Sequence, residues 1–317
     1  MREEEWKFTG GSLYYERKGE SIEILRFSGT AWEVSVPEHI GGYPVKAIGK
    51  KAFLSRKNIR RILFPDTVAE VGDWAFAYCD GLEEISLPRG ELRFGRAVFL
   101  ECQSLRRIEL RECPETRQQA AGGGQGEQKQ AGSRGFSGEG ELLAAAVTTL
   151  DAYYLLEPRE VGSVEWMGKW DARLTAVLRT SDRDGYSRQV LCGEEDYGST
   201  DMDAYESGKR RIKVRLALLR LLFPERLSED LREELRQYLS AHTKGCGSEE
   251  TWQVILQEHG NDRAYYGLFA ELGCVTAENL DGILADAGGR FPEMAAFFLR
   301  YREEKLGTAD FFASLDL

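Results

Sequence analysis

VGDWAFAYCDGLEEISLP (residues 71–88) decides the fold of the first third of the chain, because its landmarks return 23 residues earlier and 23 residues later. Residues 48–64 (IGKKAFLSRKNIRRILF), 71–87 and 94–110 (FGRAVFLECQSLRRIEL) align without a gap. Gly49, Gly72 and Gly95 fall in register, as do Phe53, Phe76 and Phe99, then Ile59, Leu82 and Leu105, then Ile62, Ile85 and Ile108. Pro65 and Pro88 close the first two units. A fixed period of this size, with one short apolar strand per unit, is the signature of a solenoid. No unit can bury its own apolar side, so Phe stacks on Phe and Ile on Ile in successive coils and the shared columns become the core.

Working outward, residues 6–36 alternate around a Lys-Gly turn (LYYERKGESIEILRFSG, 13–29), which predicts a β-hairpin covering the open end of the stack. The pattern I-G-x-x-A-F-x-x-C-x-x-L-x-x-I-x-L-P, over about residues 30–110, resembles the BspA-type leucine-rich repeat of bacterial proteins. VSVPEHIGGYPVKAIG (34–49) resembles the first unit of such arrays. The resemblance implies binding to proteins or host surfaces, and no catalysis.

With the aliphatic residues facing inward, Arg60, Arg61 and Leu63, then Glu83, Glu84 and Ser86, then Arg106, Arg107 and Glu109 are the candidates for the exposed side. Strands about 4.8 Å apart set Arg60 and Arg61 opposite Glu83 and Glu84, which in turn face Arg106 and Arg107. Two readings stand side by side: a solvated ladder of cross-strand pairs, or a patterned surface that binds a partner. Cys79 and Cys102 share one repeat position and are expected to stack as small apolar groups, with a disulfide between adjacent coils as the alternative.

Past Cys113 the pattern stops, and Gly, Gln, Ser and charged residues dominate residues 114–140, which read as a flexible linker. Its GGGQGEQKQ lacks the Gly-Lys-Ser/Thr ending of a phosphate loop. Beyond it the period is helical, with Trp166, Trp170, Leu174, Val177 and Leu178 on one face, and Val214, Ala217, Leu218 and Leu221 on another. Ser228, Ser248 and Thr276 read as helix starts, and Gly245, Gly260, Gly273 and Gly307 as stops, giving about eight helices. A weak internal echo (LLEPREVGSVEWMGKW, 155–170, against LLFPERLSEDLREEL, 221–235) suggests repeated helix pairs. The expected fold class is α+β and multidomain. A leucine-rich β-solenoid with a β-hairpin cap occupies 1–113, and an all-α helical repeat or bundle occupies 141–317.

The chain has 317 residues, 42% of them hydrophobic, enough for two cores, and its net charge of -11 argues against general nucleic-acid binding. The acidic start MREEEWKFTGG lacks the basic and apolar regions of a secretory leader, and no apolar run approaches a membrane span. The expected location is the cytoplasm, with a secreted or cell-surface adhesin as the alternative if a leader lies upstream. The six cysteines include no CxxC pair, which fits reduced thiols.

Only three histidines are present, and none has a nucleophile partner in a motif. His242, Cys246, His259 and Cys274 offer the ligand types of a structural zinc at spacings that match no finger, so they are weak candidates and no cofactor is expected. SDRDGYS (181–187) starts like a calcium loop with Asp182 and Asp184, but Tyr186 and Gly193 occupy ligand positions, so it reads as a turn. The acidic run Glu194, Glu195, Asp196, Asp201, Asp203 reads as a solvated loop, and Trp252, Tyr265, Tyr266 and Tyr301 as packing residues. The resulting expectation is a non-enzymatic protein-interaction or scaffold module, with Arg60, Arg61, Glu83, Glu84, Arg106 and Arg107 as partner-binding positions. A metal-binding or enzymatic helical domain is the remaining alternative.

Overall fold

The structure is a computed structural model that describes residues 3–112, 138–186 and 201–306; Cys113, Cys192 to Asp196, Gly307 and most of the expected linker lie outside the described residues. The chain forms two compact units, Met1–Arg173 and Leu174–Leu317.

The first unit opens with an antiparallel meander, β1 (Glu4–Phe8), β2 (Gly11–Lys18) and β3 (Ser21–Gly29). From β3 the sheet continues in parallel through β6 (Tyr43–Ile48), β8 (Glu70–Val71) and β10 (Arg93–Phe94), with β5 (His39–Ile40) paired to β6. A second sheet holds β4 (Glu33–Ser35), β7 (Arg61–Leu63), β9 (Glu84–Pro88) and β11 (Arg107–Arg111), all parallel, in the order β11-β9-β7-β4. The repeat period thus delivers one strand to each sheet per coil, and the expected hairpin cap is present.

Between the sheets runs a phenylalanine spine. Ring centroids of Phe27 and Phe53 lie 5.7 Å apart, Phe53 and Phe76 5.0 Å, and Phe76 and Phe99 5.7 Å, all nearly parallel. The spine continues into the cap through Phe8, 6.2 Å from Phe27, and Trp6, 5.4 Å from Phe8. Val34, Ile62, Ile85 and Ile108 form a second, fully buried column. The recurring glycine has a steric cause: a Cβ on Gly72 would stand 2.6 Å from the Lys50 amide nitrogen of the preceding coil. Cys79 and Cys102 are buried free thiols, donating to the carbonyls of Phe53 at 3.0 Å and Phe76 at 3.1 Å. Each thiol thus ties its coil to the preceding one, and the disulfide alternative is not formed; burial pushes the two thiols up to about 11 and about 12.

Two positions per coil adopt left-handed backbone without being glycine. They are Lys51, Trp74 and Ala97 at one register position (φ 59°, 53°, 49°), and Ser55, Tyr78 and Glu101 at the other (φ 58°, 60°, 56°). Such a conformation costs an L-residue about 1–2 kcal/mol, and it persists because the neighbouring coils impose it through main-chain bonds such as Trp74 N–H to Arg96 O (2.9 Å) and Tyr78 N–H to Leu100 O (2.7 Å).

The expected boundary at residue 141 is corrected. Helix α1 (Glu139–Thr148) packs against β11 and belongs to the first unit, as does the chain up to Arg173 within α2 (Val164–Arg179). The reason is the last coil, whose apolar column needs a cover, and α1 supplies Leu142, Leu143, Ala146 and Val147, all buried. Indole N–H groups fasten this cover, Trp170 donating to Leu142 O (3.0 Å) and Trp166 to Leu155 O (2.9 Å). Arg89 ties it to the sheet through Glu139 and Glu112.

The second unit contains α3 (Met202–Leu222), α4 (Glu229–Ala241), α5 (Glu250–Glu258), α6 (Arg263–Glu271), α7 (Leu280–Ala287) and α8 (Pro292–Tyr301), so eight α-helices are seen among the described residues. Its core gathers Leu235, Leu239, Ile255, Ile283 and Met294 around Trp252, Phe269 and Phe298. Ser228 caps α4 by accepting from Leu231 N–H at 3.3 Å. Ser248 and Thr276 do not cap: α5 starts after Glu249, and α7 starts after Asn279, whose side chain instead bonds back to Thr276 N–H (2.9 Å).

Candidate interaction face

On the outer side of the four-stranded sheet, Glu33, Arg61, Glu84 and Arg107 stand in register, so charge alternates in sign from strand to strand. Arg61 sits between two carboxylates, 3.6 Å from Glu33 and 3.3 Å from Glu84. In the adjoining row Arg60 pairs with Glu83 at 3.0 Å and reaches Gly81 O at 3.4 Å. The third coil departs from the expected pairing. Arg107 turns to Glu141 of α1 at 3.7 Å, while exposed Arg106 has no carboxylate partner among the described residues.

Ser86, expected on the exposed side, is fully buried. Its register neighbours Leu63 and Glu109 are longer, and the Arg111 side chain crosses the strand to the Phe64 carbonyl and Asp66, so the short serine lies at the bottom of a trough. Its hydroxyl finds no partner among the described residues. At the opposite end of the face stands Trp32, 63% exposed, whose carbonyl accepts from both Arg60 N–H (2.7 Å) and Arg61 N–H (3.1 Å). The ladder pairs are partly solvated, and each contributes roughly 0.2–1 kcal/mol. The face is thus rich in displayed charge and poor in intrinsic stabilisation.

The four weak metal candidates stand in different surroundings. His242 Nδ1 bonds Tyr238 O at 2.7 Å, and His259 stacks on Tyr265 with centroids 3.5 Å apart. Cys274 is buried, which pushes its thiol up to about 12, while Cys246 is exposed. Among the described residues no group of three or more His, Cys, Asp or Glu side chains is arranged to hold a metal. Asp182, from the calcium-like stretch, instead takes Lys213 Nζ at 2.7 Å and lies 3.8 Å from Arg210.

That pair opens a polar cluster which sequence reasoning missed. Arg210 donates to Glu250 at 2.8 Å and to Glu206 at 3.4 Å, and Glu206 also takes Arg183 at 2.5 Å. Burial alone raises the Glu250 carboxyl, but the hydrogen bond and charge of Arg210 outweigh it and hold the group below the usual carboxylate range. The i,i+4 spacing of Glu206 and Arg210 was the available signal.

A stack of short parallel strands, one per coil and sheet, defines a β-solenoid of the leucine-rich class. Residues 33–121 match the family described as BspA type leucine rich repeat region, in 6 copies, and this segment is such an array. Similar solved structures include the T. pallidum leucine rich repeat protein TpLRR, 32% identical, covering 30% of this chain and 46% of that one at a TM-score of 0.29. A leucine-rich repeat protein from Bacteroides ovatus is 25% identical, with 32% and 28% covered and a TM-score of 0.29. The chain spans less than half the length of either protein. No curated protein matches it. Repeats of this type are generally protein-interaction or surface modules, and the family is typically non-enzymatic.

Proposed function

We propose that the chain is a non-enzymatic scaffold whose charged ladder, Arg60, Arg61, Glu83, Glu84, Arg106 and Arg107, contacts a protein partner. The observation that carries this reading is the sign-alternating face itself: it displays ordered charge that the fold scarcely needs for stability. Exposed Arg106 and Trp32 lie on it, and Arg and Trp are the side chain types that dominate interface energetics. The cytoplasm is the proposed setting, supported by the unlinked thiols of Cys79 and Cys102 in adjacent coils.

The test is affinity purification with mass spectrometry, using the full chain and an Arg60→Glu/Arg106→Glu variant, both positions being exposed. A protein held by the native chain and lost by the variant supports the ladder as the contact face. Recovery that is indifferent to the variant, or no recovery at all, overturns it. Recovery of the chain from the culture medium or the outer cell surface selects the adhesin reading instead.

A further inference from the structure

The two ends of the β4–β7–β9–β11 sheet are finished differently. At β11 the open edge is occupied: a Cβ on Gly140 of α1 would stand 2.9 Å from the Ile108 carbonyl oxygen. At β4 no strand pairs on the far side among the described residues. The bonds of the next strand show which groups are left over. Arg61 N–H donates to Trp32 O (3.1 Å) and Leu63 C=O accepts from Val36 N–H (2.9 Å), so these register positions aim at the preceding coil. On β4 the same positions are Glu33 and Ser35, paired in register with Arg61 and Leu63, and their N–H and C=O groups face no coil. Ser35 is exposed, and Trp32 flanks the edge.

We propose that β4 is a docking edge for an extended dibasic segment of a partner protein, which adds as a fifth strand. This rests on the interaction-module reading and specifies its partner. The ladder supplies the code, because acidic Glu33 and Glu84 alternate with basic Arg61 and Arg107, so the strand beyond β4 is called on to place Lys or Arg opposite Glu33. The residue before it lies against the exposed Trp32 indole, a position at which a second basic side chain gains cation–π attraction. From the other side, the Arg60-Arg61 pair of β7 bonds the Trp32 carbonyl through its main chain and sets Arg61 opposite Glu33, and it is the template for the missing neighbour. Main-chain bonds supply affinity, and the two basic side chains supply selection. The net charge of -11 favours the approach of such a segment.

A second copy of the chain fits this edge poorly. Its β11 carries the matching charge, but α1 covers that edge. Two β4 strands paired antiparallel about Val34 would set both Glu33 carboxylates on one face.

The probe is a fluorescein-labelled peptide of residues 57–66 (KNIRRILFPD) and its Arg60→Glu/Arg61→Glu counterpart, titrated with the full chain by fluorescence anisotropy. The dibasic peptide is expected to bind about tenfold or more tightly than the acidic one, with the order inverted by Glu33→Lys in the protein. Ser35→Pro, which removes an outward N–H without changing charge, is expected to weaken binding about tenfold with the melting temperature retained. Equal affinity for both peptides, no binding below about 1 mM, or indifference to Ser35→Pro overturns the proposal. So does a dimer in analytical ultracentrifugation that Ser35→Pro dissolves. If a captured partner is lost with Arg60→Glu/Arg106→Glu yet survives Ser35→Pro, the interaction module stands and the edge proposal alone falls.

Discussion

In the repeat stack the same side chain returns to the same place in every coil, whereas in the helical unit each helix pair finds its own packing. The stack repeats even its costs, with left-handed backbone at Lys51, Trp74 and Ala97 in turn. The helical unit concentrates cost in one place, the cluster of Arg210, Glu206, Glu250 and Asp182. Stability in the first is spread along columns of neighbours. In the second it depends on a few partly buried charges remaining paired. The two regions should therefore fail in different ways.

The largest expected effect comes from breaking the spine. Phe76 is fully buried with Phe53, Phe64 and Phe99 rings within 5.8 Å, and Phe76→Ala should cost about 3–5 kcal/mol. Phe8, half-buried where the spine enters the cap, should cost clearly less on the same substitution. Equal losses in denaturant melts would show that the column does not behave as a nearest-neighbour stack.

Next comes Arg210→Ala, which leaves Glu250, 4% exposed, without its cation and should cost about 3 kcal/mol. Acid sharpens the same contrast. Because the folded Glu250 carboxyl is held below its ordinary range, its contribution is complete above the unfolded value of about 4.3, and it is lost as pH falls through the lower folded value. Glu258 behaves alike: burial raises its carboxyl, but Arg215 and Arg211 outweigh that and lower it. Hydrogen exchange below about pH 4 should therefore open α3 and α5 before β7 and β9. Simultaneous opening would contradict the contrast.

The smaller effects test the regular parts. Ala97→Gly relieves a left-handed φ of 49° and should raise stability by about 0.5–1 kcal/mol, read as a small rise in melting temperature. Glu84→Lys places a third cation between Arg61 and Arg107 and should lower stability by only a few tenths of a kcal/mol, detectable as a loss that shrinks with salt.

What could be read from sequence follows the same division. Phe53, Phe76 and Phe99 announce themselves because the period brings them back, and the ladder residues inherit their positions from that register. Phe27 and Phe8 extend the spine but lie in a cap that does not repeat, so no spacing points to them. The helical pattern of α1 is plain, yet nothing in an apolar period says which neighbour it covers, and the domain boundary was misplaced for that reason. Ser86 reads as exposed because alternation is local, while the trough around it is made by side chains from the two neighbouring strands. The Arg210 cluster draws on α3, α5 and the turn after α2, a convergence that only tertiary structure creates.

One consequence of the alternating ladder concerns how such an array can lengthen or shorten. Each of the three full repeats offers the same glycine, phenylalanine and isoleucine contacts, so excising residues 71–93 would still join matching cores. It would also bring Arg61 beside Arg107, like against like. Units removed or duplicated two at a time preserve the alternation. The core counts coils one by one, but the surface has a parity, and inheritance by gene duplication would be filtered by that even-numbered rule.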